Sequence, residues 1–199
     1  MPGIVFASWN RNKYLEMSSL LAPAGVELLF GPDLSGAGEV PEVDEDRDTY
    51  AGNAVTKALA WSSALGRPAL ADDSGLEVSF LNWGPGVMSA RVAPDDAARV
   101  QWLLGKMGGI SERRARFVAA LALFFPERGI WLLAEGFCYG SISVEPSGGH
   151  GFGYDPLFVP NGYNETLAVL GPTVKSRISH RSVAARALCR MLTGGCVVE

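Results

Sequence analysis

The sequence predicts a mixed-sheet α/β domain, and three features carry that expectation. The opening reads as strand, loop, helix, strand; alanine-rich helical segments recur through the chain; and its middle holds long apolar runs that read as consecutive, antiparallel strands. The 199 residues suit one domain, spanning 1–199, with room for a sizeable core. Hydrophobic residues at 48% against 19% charged argue against a disordered chain.

The elements follow in order. "GIVFAS" is a short apolar run ending in polar residues, as a buried strand feeding a loop would be. From Asn12 to Leu21, Tyr14, Met17, Leu20 and Leu21 fall at helical spacing, and "PAG" ends the helix. "VELLF" is the second strand. Residues 31 to 48, rich in Gly, Pro and acid, read as a loop. The alanine-rich run from Thr49 is helical, and Gly66 and Pro68 stop it. "PALADD" gives a third strand that ends at its paired acids. "PDDAARVQWLLGKM" is a helix opened by a proline and two acids, which suit the positive end of the helix dipole. "RARFVAALALFF", "IWLLAEGFCYG" and the segment around "SISVEP" read as three strands. After the glycine-rich "GGHGFGYDPLFVP", Ser179 caps a last helix, "SHRSVAARALCRML". The pattern suits a cleft between two lobes.

Charge and cysteines exclude several classes. A net charge of −4 gives no general attraction to nucleic acid or to an anionic membrane. The cysteines, Cys138, Cys189 and Cys196, form no CxxC pair, so they read as reduced thiols of a cytoplasmic protein. The first residues lack a basic segment followed by a long apolar one, and no apolar run is long enough to span a membrane. No GxSxG appears, and only His150 and His180 could complete a triad, which argues against a serine hydrolase.

Five stretches could carry chemistry. "SWNRNK" (Ser8, Trp9, Asn10, Arg11, Asn12, Lys13) lies between a strand and a helix, where backbone N–H groups and a lysine suit phosphate; it reads equally as a capped helix start. "EVPEVDEDRD", residues 39 to 48, is either a solvated acidic loop or the source of an oxygen ligand for a hard divalent cation. In "ADDSGL", Asp72 and Asp73 point to opposite faces of a strand end, so they cannot play identical roles. Ser74 and Gly75 would allow a sharp turn close to a ligand, or merely end the strand. "GGHGFGYDPLF" alternates glycines with aromatics: it is either a packed turn or a loop that sets Phe152 or Tyr154 against a flat base with Asp155 on its edge. "KSRISHRSVAARA" gathers Lys175, Arg177, His180 and Arg181 at a helix start, as surface cations or as a seat for an anion or a carbonyl oxygen.

In this order, "FASWNRNK", "NAVTKA", "ALADDSGLEV", "GPGVMSARV", "GHGFGYDPLF" and "KSRISHRSVAARAL" resemble the inosine triphosphate pyrophosphatase family, the HAM1-like proteins, over nearly the whole chain. The resemblance implies an elongated α/β fold with a central mixed sheet flanked by helices and an active-site cleft between two lobes. It implies Mg²⁺-dependent hydrolysis of ITP, dITP and XTP to the monophosphate and pyrophosphate, which cleanses the nucleotide pool, in a homodimer with no nucleic-acid or membrane partner. Asp73 matches the proton acceptor and a metal ligand, with Asp44 or Glu45 completing the metal site and Glu42 an alternative. The Ser8–Lys13 loop and Lys57 match the phosphate side, Ser74 a substrate contact, and Phe152, Gly153, Tyr154 and Asp155 the base-binding stretch. Lys175, His180 and Arg181 match the remaining nucleotide contacts. Two positions depart from the family pattern: Ser8 stands where threonine is common and keeps the hydroxyl, and bulky Trp9 stands where a small residue is common.

Overall fold

The computed structural model describes residues 3–34 and 41–194. Seven strands and five α-helices follow in the order β1 (Ile4–Phe6), α1 (Arg11–Leu21), β2 (Leu28–Phe30), α2 (Tyr50–Leu65), β3 (Ala69–Val78), β4 (Gly84–Pro85), α3 (Asp96–Met107), β5 (Arg114–Phe125), β6 (Ile130–Ile142), β7 (Phe158–Pro160), α4 (Leu167–Ile178) and α5 (His180–Leu192). The strands hydrogen-bond in the order β2-β1-β3-β5-β6-β7, with β4 on β3. β1 pairs parallel with β2 and β3, whereas β3–β4 and β6–β7 are antiparallel, so the sheet is mixed.

The helices start and stop where local chemistry satisfies their end groups. The side chains of Asn10, Thr49, Asp95 and Thr166 accept from backbone N–H groups of Lys13, Gly52, Ala98 and Val169, capping α1 to α4. Ser179 Oγ does the same for Ser182 at the head of α5. Gly66, left-handed at φ 62°, closes α2.

Two compact units divide the chain: residues up to Asp73 with 119–136 and 184 onward, and residues 74–118 with 137–183. In the first unit, strand alternation sorts the core into two faces. Ile4, Phe6 and Leu70 pack with Met17 and Leu21 of α1 and with Ala184, Ala185 and Leu188 of α5. Val5, Ala7, Ala69 and Ala71 pack instead with Ala54, Ala58 and Trp61 of α2. In the second unit, Leu76, Val78, Phe117, Cys138 and Ile142 gather Val100, Leu103 and Met107 of α3 with Tyr154, Leu157, Phe158 and Leu167. Full burial of each large aliphatic side chain contributes about 1.5–3 kcal/mol.

Four expectations are corrected. The third strand does not end at its acids: β3 runs through Asp72 and Asp73 to Val78, with no turn at Ser74–Gly75, because Leu76 and Val78 continue the buried alternation. The segment around "SISVEP" is no separate strand; β6 extends to Ile142, and residues 143–146 leave the sheet. β7 lies instead within the stretch read as loop. α4, which was not anticipated, is broken at Gly171 (φ 73°) beside Pro172, which hides its periodicity. Of the acidic stretch, residues 39 and 40 lie outside the described residues, as does Cys196, and residues 41–48 form no helix or strand.

Candidate functional site

In the first unit the site is built on β3 and the two helices that cover its faces. Leu70 faces α1 and α5, so Asp72, two residues on, faces the same way; Ala69 and Ala71 face α2, and so does Asp73. Each acid meets the lysine on its own side. Asp72 Oδ2 lies 3.1 Å from Lys13 Nζ of α1, and Asp73 Oδ1 lies 3.3 Å from Lys57 Nζ of α2. The expectation that the two carboxylates differ in role thus has a geometric basis.

Lys57 is the hub. Its Nζ donates to Glu45 Oε1 at 2.6 Å, to the Asp72 carbonyl at 2.9 Å and to Asp73 Oδ1. Burial alone would push this ammonium down, but Asp73, Glu45 and Asp72 outweigh it and hold its pKa above the ordinary lysine value. Lys57 is therefore charged at neutral pH, and the carboxylates offset the cost of burying it.

One turn before Lys57, on the same face of α2, Asn53 is fully buried. Its Nδ2 donates to Asp73 Oδ2 at 3.0 Å, while its Oδ1 accepts from Arg47 N at 3.0 Å. One amide thus ties the acidic segment to β3 and fixes the second oxygen of Asp73. Asn53 lay in the quoted "NAVTKA" but was not singled out; an asparagine at a buried position of an alanine-rich helix, four residues from a lysine, was the available signal.

The loop before α1 is drawn into capping. Asn10 N donates to Ser8 Oγ at 3.1 Å, and Asn10 Oδ1 accepts from Lys13 N at 3.1 Å. Arg11 turns away to Asp33 at 3.2 Å and lies over the Phe30 ring. Asn12 is exposed. Trp9 is 59% exposed, and its ring meets Trp61 edge-on, 5.9 Å between centroids, so the bulky residue rests on α2. Of the four acids weighed for the metal, Asp73 and Glu45 reach the same ammonium; Asp44 and Glu42 are exposed.

The second unit collects the aromatic loop and the cations. Asp155 Oδ2 accepts from Phe152 N at 2.9 Å and from Lys175 Nζ at 2.6 Å. Lys175 Nζ sits 4.5 Å from the Phe152 ring centroid and the Arg181 guanidinium 5.1 Å, so one ring is flanked by two cations. Arg181 Nη2 donates to Ser74 Oγ at 2.6 Å. His180 is buried and stacks on Phe117 at 4.7 Å. Tyr154 OH donates to the Ser89 carbonyl at 2.8 Å, and burial pushes its phenol up to about 12 despite the opposing pull of Arg99. Gly153 N donates to Asp96 Oδ2 at 2.8 Å. In the sequence, Asp96 reads only as a helix-opening acid. Phe152, Gly153, Tyr154, Asp155, Lys175, Arg181 and Ser74 are thus brought together, with His180 beside Arg181 in the chain and buried against Phe117.

Comparisons with known proteins agree with one another. The model of the Ham1 family matches residues 4–191. The chain is 42% identical to a "dITP/XTP pyrophosphatase" of Gluconobacter oxydans, over 92% of this chain and 88% of that one. It is 44% identical to a protein of the same name from Syntrophobacter fumaroxidans, over 94% and 80%. Its fold is similar to the solved structure of a HAM1 protein from Coxiella burnetii, with a TM-score of 0.85 and 38% identity, covering 98% of this chain and 100% of that one.

Proposed function

Because this chain belongs to the Ham1 family, we propose that it is a nucleoside triphosphate pyrophosphatase that hydrolyses ITP, dITP and XTP to the monophosphate and pyrophosphate, and so cleanses the nucleotide pool. The relatives named dITP/XTP pyrophosphatase support the substrate class. The single observation that carries the chemistry is the first unit's array, in which Lys57 holds Asp73 and Glu45 while Lys13 holds Asp72.

A bare carboxylate repels a triphosphate, so these acids need a cation to work on one. The donor set fits Mg²⁺: Asp73 and Glu45 both reach one point, their oxygens suit a hard cation, and Mg²⁺ is commonly held by one or two carboxylates together with substrate phosphates. Among the described residues no larger cluster of His, Cys, Asp or Glu is placed to bind a metal. Asp73 and Glu45 would hold the ion, which when bound neutralises phosphate charge and lowers the pKa of water. Asp73 takes the proton of the water that attacks the α-phosphorus. Asn53, donating to Oδ2, keeps the carboxylate oriented for that transfer. Lys57 and Lys13 stabilise charge on the phosphate oxygens.

In the second unit, Phe152 offers a face for the purine. The Arg181 guanidinium is a donor suited to the 6-keto oxygen of hypoxanthine or xanthine; adenine's 6-amino group would set donor against donor. The same proposal includes a homodimer in the cytoplasm. An exposed run of Trp83, Phe137 and Tyr139, bridged by Arg116, supports self-association, and sedimentation of the purified protein tests it.

The deciding assay measures pyrophosphate release from ITP, dITP, XTP, ATP and GTP with and without Mg²⁺. Pyrophosphate from the first three, only with metal, is the expected result. Stepwise orthophosphate would make the protein a phosphatase, and metal-independent ITP binding without turnover would make it a binding module.

A further inference from the structure

The loop from 148 to 155 is poor at holding its own shape. Gly148, Gly151 and Gly153 all take positive φ, at 85°, 84° and 64°, and glycine-rich segments lose the most conformational entropy on ordering. Four side-chain contacts offset that cost: Lys175 holds Asp155, and three more follow. Asp155 closes back on Phe152 N from within the loop, and Tyr154 reaches the Ser89 carbonyl. The third comes from elsewhere in the chain: Asp96, in the first turn of α3, accepts from Gly153 N with Oδ2 and holds Arg99 Nη1 at 2.7 Å with Oδ1. Asp96 is aimed by its helix, since Asp95 caps α3 and Arg99 occupies the other oxygen.

We propose that Asp96 is a positioning residue for base recognition: by holding Gly153 N–H it fixes where the Phe152 ring, flanked by Lys175 and Arg181, presents itself to the purine. The inference rests on the pyrophosphatase reading for its substrate. Asp96 acts through Gly153 N–H rather than through Asp73 or the lysines, so its loss should separate binding from turnover. Gly153 couples the acid to the ring: its neighbour Phe152 carries the ring, and a freed Gly153 N–H lets the peptide between them rotate. The charge of Asp96 matters less than its oxygen, because the contact to Gly153 is made by one acceptor atom.

The test compares Asp96→Ala, Asp96→Asn and Arg99→Ala in the full-length protein. Asp96→Ala should raise KM for dITP about tenfold with kcat within about twofold, the size expected when an interaction shared by ground and transition states is lost. Asp96→Asn, whose amide oxygen can still accept from Gly153, should return KM to within about threefold of the parent. Arg99→Ala keeps the acceptor but loses one of the contacts that aim it, so KM should rise less than in Asp96→Ala, by about threefold. Amide hydrogen exchange of residues 150–155, read without substrate, should accelerate in Asp96→Ala and stay slow in Asp96→Asn. Equal falls in kcat and kcat/KM for Asp96→Ala, no rescue by asparagine, or unchanged exchange would overturn the proposal. If the parent protein releases no pyrophosphate from dITP, the pyrophosphatase reading fails by itself; the exchange arm then still decides whether Asp96 holds the loop.

Discussion

The two candidate regions solve opposite problems with different materials. In the first unit, charged groups sit on rigid elements: Asp72 and Asp73 on β3, Lys13 on α1, and Lys57 and Asn53 on α2. All but the half-buried Lys13 are buried, and each is held by another side chain, so little freedom remains to be lost when a triphosphate arrives. In the second unit the central feature is a glycine-rich loop presenting the Phe152 ring, held from outside by the Asp96 carboxylate, the Ser89 carbonyl and two cations. Rigid elements suit a reaction, where small displacements are costly. A tethered loop suits recognition, where a flat face must settle onto a flat ligand.

That contrast can be broken, and the largest effect is expected at Asp73. Asp73→Asn should lower turnover about 10³-fold, the scale of a lost general base. The new amide would face Lys57 or the Asn53 amide, donor against donor, costing about 1–3 kcal/mol in a thermal or denaturant melt while circular dichroism stays native. Near-normal turnover would remove Asp73 from the chemistry. Next comes a pair of neighbours in the acidic segment. Glu45→Gln should raise the Mg²⁺ concentration for half-maximal activity about tenfold or more, whereas Asp44→Asn should shift it less than about twofold. Equal shifts would mean that the Lys57 contact does not mark the metal-side acid.

The second unit should respond differently. Phe152→Ala should raise KM about tenfold with kcat little changed, in line with the worth of an aromatic face beneath a base. A fall in kcat as large as that in kcat/KM would erase the division of labour between the regions. The smallest effect is spectroscopic. Tyr154 should titrate at about 12, followed by phenolate absorbance. Because its folded pKa is raised above the unfolded value near 10, its contribution to stability is complete below about pH 10 and fades as pH climbs toward 12. Tyr154→Phe should abolish both the late titration and that part of the alkaline loss.

Local chemistry was the most legible part of the sequence. Asn10, Thr49, Asp95, Ser179 and Gly66 each stand where a helix begins or ends, because caps depend on neighbours in the chain. Asp72 and Asp73 were legible as a site but not as the middle of a strand; two acids resemble a strand end unless the lysines that compensate them, far away in sequence, are known. The same long range hid Asn53 and Asp96. Each makes its telling contact with a residue 20 or 57 positions away, and no spacing rule reaches that far. Glu45 could not be told from Asp44 for a related reason: adjacent acids in a segment without regular structure carry no facing rule until a partner is seen.

The route of the chain has a consequence for how such a protein can be remade. The first unit is assembled from three separate stretches of the polypeptide and the second from two, so the chain passes between them four times, first between Asp73 and Ser74. No single cut in the gene frees either unit, so one crossover cannot exchange a whole unit. The recognition loop, in contrast, lies within the single stretch 137–183 and can be replaced as one segment while Asp73 and its partners stay as they are.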